Sequence, residues 1–319
     1  MIERRELRLS VPSPGGDPWY MAGWLSLPEV PARNELQVLL HGATYDHRYW
    51  DWPVESEAYS YVRFAAEAGC ATLAVDRIGS GASSRPPGRE NTVRAQARAL
   101  GRVVEDAKSG ALVGHAFDRV VLVGHSFGSI LAAAEAAWFG GVDAVVMIGL
   151  LGIGSSAQDD DPRADVAFQP VAQDAGVRHL TGLVDDAYLT MRAEFRVPLL
   201  YASDNCDPDV VALDERIKGV VTRGEVSDMG TAAAATKDIK VPTLVMVGEY
   251  DAMEADPDGD GDGDGDGSTY SAVRRAEGLA PEGFEFVVVP GVGHNINLHR
   301  DAPVAFRRIG AWLDSVSGH

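Results

Sequence analysis

Gly124-His125-Ser126-Phe127-Gly128 follows the apolar run Arg119-Val120-Val121-Leu122-Val123 and leads into Ser129-Ile130-Leu131-Ala132-Ala133-Ala134. A Gly-x-Ser-x-Gly string between a buried strand and an alanine-rich helix marks a sharp turn that lifts a serine hydroxyl clear of a sheet edge. The glycines leave room where a Cβ would meet the neighbouring strand and helix. The helix beginning under the serine presents unpaired amides, which favour negative charge there. The chemistry this suits is nucleophilic attack. By the geometry of the turn, the Phe127 N–H faces the oxyanion that would form.

A serine hydroxyl needs a base to take its proton, and the base needs an orienting carboxylate. Of the eight histidines, at 41, 47, 115, 125, 179, 294, 299 and 319, His294 is the candidate. It lies in Pro290-Gly291-Val292-Gly293-His294-Asn295, beyond the last strand-like run, where flanking glycines let a loop turn inward. His125 is expected to point away from the nucleophile, and His41 to buttress a turn. For the acid, Gly248-Glu249-Tyr250-Asp251 follows the run Pro242–Val247; Asp251 is favoured and Glu249 is the rival. The other place for an acid, after the preceding strand, reads Gly149-Leu150-Leu151-Gly152-Ile153-Gly154 and holds no carboxylate.

Strand-like runs alternate with helical stretches on both sides of this motif. Glu6–Val11 and Trp19–Leu27 read as an antiparallel pair turning at 12–18. Leu36–Leu40, Ala71–Val75, Val120–Val123, Ala144–Gly149, Val241–Val247 and Phe284–Val289 read as buried strands. Helices are expected at Ser56–Ala68, at Asn91–Ala107 with Asn91 or Thr92 as N-cap, after the serine, and at Pro303–Val316. This alternation calls for an α/β fold, a mostly parallel sheet with helices on both faces. The rhythm breaks over 155–236, which is polar and helix-prone. We therefore expect a core in two parts, 1–154 and 237–319, and an inserted, mainly helical lid over 155–236. Val197–Tyr201 is an ambiguous run that could mimic a strand.

The chain resembles the α/β-hydrolase fold serine hydrolases over nearly its whole length. His41-Gly42, Asp76-Arg77-x-Gly-x-Gly-x-Ser83, the serine turn, Gly-x-x-Asp251 and Gly-x-Gly-His294 occur in family order, with Ser126, Asp251 and His294 in the family's sequence of nucleophile, acid and base. The resemblance implies a second oxyanion donor, the N–H of Ala43, which follows His41-Gly42. Each such donor contributes roughly 2.7 to 4 kcal/mol. It implies cleavage of an ester, lactone or thioester through an acyl-enzyme, with no cofactor. A serine nucleophile departs from the epoxide hydrolase and haloalkane dehalogenase branches, which use aspartate. A cofactor-free haloperoxidase, perhydrolase or lyase with the same triad, or a receptor-like binding protein, is the alternative.

Other features have two readings. Asp76, Arg77 and the glycines after them hold a loop rather than perform chemistry. Tyr45 and Trp50 line a substrate pocket or serve packing. Tyr188, Met191, Phe195 and Tyr201 form a hydrophobic ceiling over the substrate or the lid's own core. The alternating Asp-Gly tract within 256–267 fails as an EF-hand: counted from Asp256, Gly261 takes the sixth place but Gly267 stands where the bidentate Glu belongs. It reads as a flexible, self-repelling loop, and no metal is expected.

The 319 residues suit one large core with an insertion. Net charge is −19, from 28 basic and 47 acidic side chains, a balance that repels phosphate backbones and anionic lipid. The expected partner is a small-molecule or carrier-bound acyl substrate, with no nucleic acid and no membrane. The N-terminal stretch has no signal-like apolar core and no run is long enough to span a bilayer, so cytoplasmic residence is the expectation. Cys70 and Cys206 suggest neither a disulfide framework nor a metal site.

Overall fold

The computed structural model describes residues 2–150, 166–254 and 269–317. The Asp-Gly tract and the start of the expected lid lie outside the described residues. Eleven strands are described in two sheets. The large sheet contains β1 (Glu3–Val11), β2 (Trp19–Leu27), β3 (Glu35–Leu40), β4 (Ala71–Val75), β5 (Arg119–His125), β6 (Ala144–Ile148), β10 (Thr243–Gly248) and β11 (Phe284–Val289). Its spatial order is β1-β2-β4-β3-β5-β6-β10-β11. β1, β2 and β4 pair antiparallel, and every pairing from β4 to β11 is parallel, so the fold class read from the sequence holds.

Strand β5 shows why the runs are continuously apolar. Val120 and Leu122 pack into one core cluster, while Val121 and Val123 pack into a second on the opposite face. A side-chain period of two with helices on both faces demands an apolar residue at every position. Each fully buried Val or Leu contributes about 1.5–3 kcal/mol. One face is covered by α2 (Val93–Ser109) and α3 (Phe127–Trp138), the other by α1 (Tyr61–Glu67) and α9 (Ala302–Ser315).

Helix α2 buries Val93, Ala97, Leu100, Val104 and Ala107, one stripe at helical spacing. Thr92 is its N-cap, accepting from the Ala95 N–H, and Gly110 ends it in the left-handed conformation. Asn91 instead donates to the Ile78 carbonyl, so the cap falls to Thr92 of the two candidates.

Between β6 and β10 the described residues are mainly helical, with short strands that the sequence reading did not include. These form a small antiparallel sheet of β7 (Phe168–Pro170), β8 (Tyr188–Met191) and β9 (Val221–Thr222). Helices α4 (Ala175–Thr181), α5 (Ala193–Leu200), α6 (Pro208–Ile217) and α7 (Arg223–Ala234) complete the segment. The run Val197–Tyr201 lies mostly in α5, not in a strand. Helix α8 (Thr269–Leu279) follows β10. No helix among the described residues is long and apolar enough to cross a membrane.

Helix α3 carries one unusual group. Glu135 is fully buried, and neither carboxylate oxygen has a hydrogen-bond partner among the described residues. Burial pushes its pKa up to about 8, with Lys108 opposing and Glu105 adding to the shift. The folded protein thus binds this proton more tightly than the unfolded chain does. The stabilisation is complete below pH 4.5 and is lost as pH rises towards 8, at about 1.4 kcal/mol per pH unit at most. Glu135→Gln should therefore raise the melting temperature at pH 8.5 by several degrees and change it little at pH 5. An equal shift at both values would contradict a proton held on Glu135.

Candidate active site

Ser126 sits between β5 and α3 at φ 52° and ψ −118°. Among the described residues it and Thr44, at φ 61°, are the non-glycine positions with positive φ. Such backbone is strained for an L residue and persists only where the surroundings hold it. The holding groups are visible: the Ser126 N–H donates to the Ile148 carbonyl at 2.7 Å, and the Ser126 carbonyl accepts from the Ser129 N–H at 2.8 Å. A Cβ on Gly124 would overlap the Gly128 carbonyl, and one on Gly128 would overlap the Leu40 carbonyl. The turn therefore needs both glycines, as its sequence implied. Phe127 opens α3, so its N–H is one that a helix leaves without an internal partner.

His294 and Asp251 meet where the loops after β11 and β10 come together. The His294 Nδ1–H donates to the Asp251 carboxylate, with its oxygens at 3.1 and 3.0 Å. Both side chains are buried. Burial alone would lower the pKa of this imidazole, but the Asp251 charge and hydrogen bond hold it above the ordinary value. With Nδ1 committed as donor, Nε2 is the nitrogen left to accept a proton. The rival Glu249 is engaged elsewhere, its Oε2 accepting from the Gly291 N–H at 2.9 Å.

His125 is tied to the loop of His294. Its Nε2–H donates to the His294 carbonyl at 3.1 Å, and the two rings lie 5.1 Å apart between centroids. The residue before the serine thus fastens the loop bearing the histidine. Burial keeps the His125 imidazole neutral, its pKa well below the usual value. His299 fastens the same loop from the other side: its Nε2 accepts from the Gly293 and Ala202 N–H groups and its Nδ1–H donates to the Asn295 carbonyl. Burial lowers its pKa to about 4, which suits an acceptor that stays unprotonated.

The turn at 41–45 lies against the serine, close enough that a Cβ on Gly42 would sit 3.1 Å from the Ser126 Cβ. This brings Ala43, which is half-buried, to the serine's side of the sheet. His41 buttresses the turn as expected, accepting from the Arg77 N–H at its Nε2. The Arg77 guanidinium donates to the His41 and Gly42 carbonyls, pairs with Glu225 at the start of α7, and lies 4.6 Å over the Phe127 ring. Asp76 accepts from the His47 and Ala82 N–H groups. Both residues do the structural work expected of them. Asp46, His47 and Asp76 are spaced to hold a cation, but these donors and the Arg48 guanidinium already occupy the carboxylates.

The expected pocket residues divide. Trp50 is fully buried, edge-on to Tyr49 and Tyr61, so it belongs to the scaffold's packing. Tyr188 is a correction of the same kind. It packs with Val171, Val177 and Val220 in a small core of the inserted segment, and its hydroxyl donates to the Pro86 carbonyl. Met191, Phe195 and Tyr201 join the cluster that contains Tyr45, with Phe195 half-buried. The Tyr45 hydroxyl is bonded to Arg196, Asp214 and Asn295. The sequence singles out none of Arg196, Asp214, Asn295 or His299 as part of the site. Only His299, a second histidine in the loop of His294, left a local signal. Both thiols are poor nucleophiles, since burial pushes the pKa of Cys70 and of Cys206 up to about 11.

Among solved structures, a bromoperoxidase from Bacillus anthracis superposes with a TM-score of 0.61 at 18% identity, covering 97% of this chain and 100% of that one. The carboxylesterase CesB from Bacillus subtilis gives 0.59 at 17% identity, covering 98% and 92%. A laboratory-evolved variant of potato epoxide hydrolase gives 0.63 at 13% identity, covering 98% and 100%. At these identities the likeness is one of fold alone. No sequence among curated proteins matches the chain. The sequence model of the alpha/beta hydrolase family matches residues 37–308, from within β3 to within α9, and the chain therefore belongs to the alpha/beta hydrolase family.

Proposed function

We propose that the chain is a serine hydrolase that cleaves a carboxylic ester, lactone or thioester through an acyl-enzyme on Ser126. The observation that carries this reading is His294, whose imidazole is bonded to Asp251 through Nδ1 and whose backbone carbonyl accepts from the ring of His125, the residue before the serine. In the proposed reaction, His294 Nε2 takes the Ser126 proton as the hydroxyl oxygen attacks the substrate carbonyl. The Phe127 and Ala43 N–H groups donate to the oxyanion as it forms. Collapse expels the alcohol or thiol, which takes the proton from the imidazolium. A water molecule, deprotonated by the same nitrogen, then releases the acid. Asp251 keeps the imidazole in one tautomer and stabilises its cation.

A fluorophosphonate probe should label the protein at Ser126, and a panel of nitrophenyl esters, lactones and acyl thioesters should then rank the substrates. The half-buried Phe195, packed on the apolar cluster that contains Met191, supports an uncharged acyl group. Well-folded protein that takes no label would return the chain to the receptor-like reading. The pH profile has a definite sign. The base must be neutral in the free enzyme, and Asp251 raises its pKa. Accordingly kcat/KM should rise with pH through an inflection above 6.5. An inflection below 6.5 would contradict the role given to Asp251.

A further inference from the structure

Two helices of the inserted segment bring a buried ion pair to the oxyanion turn. Arg196 of α5 pairs with Asp214 of α6, and only 2% and 1% of the two residues is exposed. Removing two charges from water costs several kcal/mol, and apolar side chains of similar size often stabilise such a position as well or better. Stability alone does not account for the pair, whereas its geometry is specific. Arg196 Nη1 donates to the Thr44 hydroxyl at 2.9 Å and Nη2 to the Tyr45 hydroxyl at 2.9 Å. The planar fork thereby grips two successive residues of one turn. The Thr44 carbonyl is also tied, accepting from the Gly219 N–H at 2.7 Å. Thr44 is the β-branched residue held at positive φ, directly after Ala43.

The Tyr45 hydroxyl extends the grip to the base. It donates to Asp214 at 3.1 Å and accepts from the Asn295 side-chain amide at 2.6 Å. With the Arg196 bond its hydrogen-bonding capacity is full. Asn295 is the neighbour of His294. One guanidinium therefore reaches both the turn that carries one oxyanion donor and, through a single hydroxyl, the loop that carries the base.

We propose that Arg196, oriented by Asp214, is a positioning residue for the reaction at Ser126, setting the 43–45 turn directly and the His294 loop through Tyr45. The proposal rests on the serine hydrolase reading. Its consequence is kinetic. The donors and the base act on a geometry reached in the transition state, and a displacement of about 1 Å costs on the order of 100-fold in rate. Substrate affinity does not depend on that alignment.

The test uses Tyr45→Phe, which deletes the shared hydroxyl and keeps the ring, and Thr44→Val, which deletes the acceptor at constant shape. Arg196→Lys keeps the charge beside Asp214 but cannot span both residues. We expect kcat on a nitrophenyl ester, and the rate of Ser126 phosphonylation, to fall about 10- to 100-fold with KM within about twofold of the parent. Thr44→Ser should recover most of the rate lost in Thr44→Val. Rates are counted per folded, labelled site, so a variant that merely melts earlier is not scored as support. If Tyr45→Phe and Thr44→Val both keep the parent kcat, the proposal is overturned even where Arg196→Lys does not fold. A parent that neither labels nor turns over would overturn the hydrolase reading together with this one; a labelled parent with unaffected variants would overturn this one alone.

Discussion

Ser126→Ala is expected to lower kcat by about 10⁵- to 10⁶-fold, because in the proposed reaction the base and the oxyanion donors lose the atom they act on. Stability should change by less than about 0.5 kcal/mol. The strain at φ 52° is a matter of backbone and Cβ, and alanine keeps both. The bonds that hold the turn, from the Ser126 N–H to the Ile148 carbonyl and from the Ser129 N–H to the Ser126 carbonyl, involve no hydroxyl. Steady-state kinetics and a melting curve on one preparation check both halves. Retention of more than about a tenth of the parent rate would remove Ser126 from the reaction.

Asp251→Asn should cost about 10⁴-fold in kcat with little change in KM. Asparagine can turn its amide towards His294 Nδ1, which would then accept, and Nε2 would carry the proton it is needed to take up. The inflection in kcat/KM should also move down, since the charge that raises the imidazole pKa is gone. Glu249→Gln is the paired control. Glu249 binds the Gly291 N–H through one oxygen, whereas Asp251 is the carboxylate bonded to the imidazole, so the loss of Glu249 should leave kcat within about threefold. A reversal of the two effects would assign the acid to Glu249.

The parts of the fold that were legible in the chain are those whose signal is local. The run Val120–Val123 must be apolar at every position because it faces two cores, and the glycines at 124 and 128 answer to collisions within a few residues. Asp251 and His294 stood out because each follows a buried strand and carries a titratable group. The inserted segment was harder. Strands of two to four residues, such as Val221–Thr222, are too short for alternation to declare itself. Val197-Pro198-Leu199-Leu200 has the composition of a strand, yet it is helical, with Arg196 in the same helix bonded to Asp214 and Thr44. Tertiary contacts there outweigh local preference. Arg196 and Tyr45 lie 151 positions apart, and no periodicity reports a pairing of that kind.

Gly149, at the end of β6, bears on how this constellation could change over evolutionary time. Ser126 follows β5 and His294 follows β11, with β6 and β10 lying between them. A Cβ at 149 would stand 3.1 Å from His294 Cε1 and 3.2 Å from its Nδ1, and the backbone there has φ 65°. The imidazole thus crowds the space that a side chain at the end of β6 would need. On the proposed reading, a lineage that moved the carboxylate to 149 would meet a left-handed backbone and a crowded imidazole at once, so the change would call for adjustment at both places.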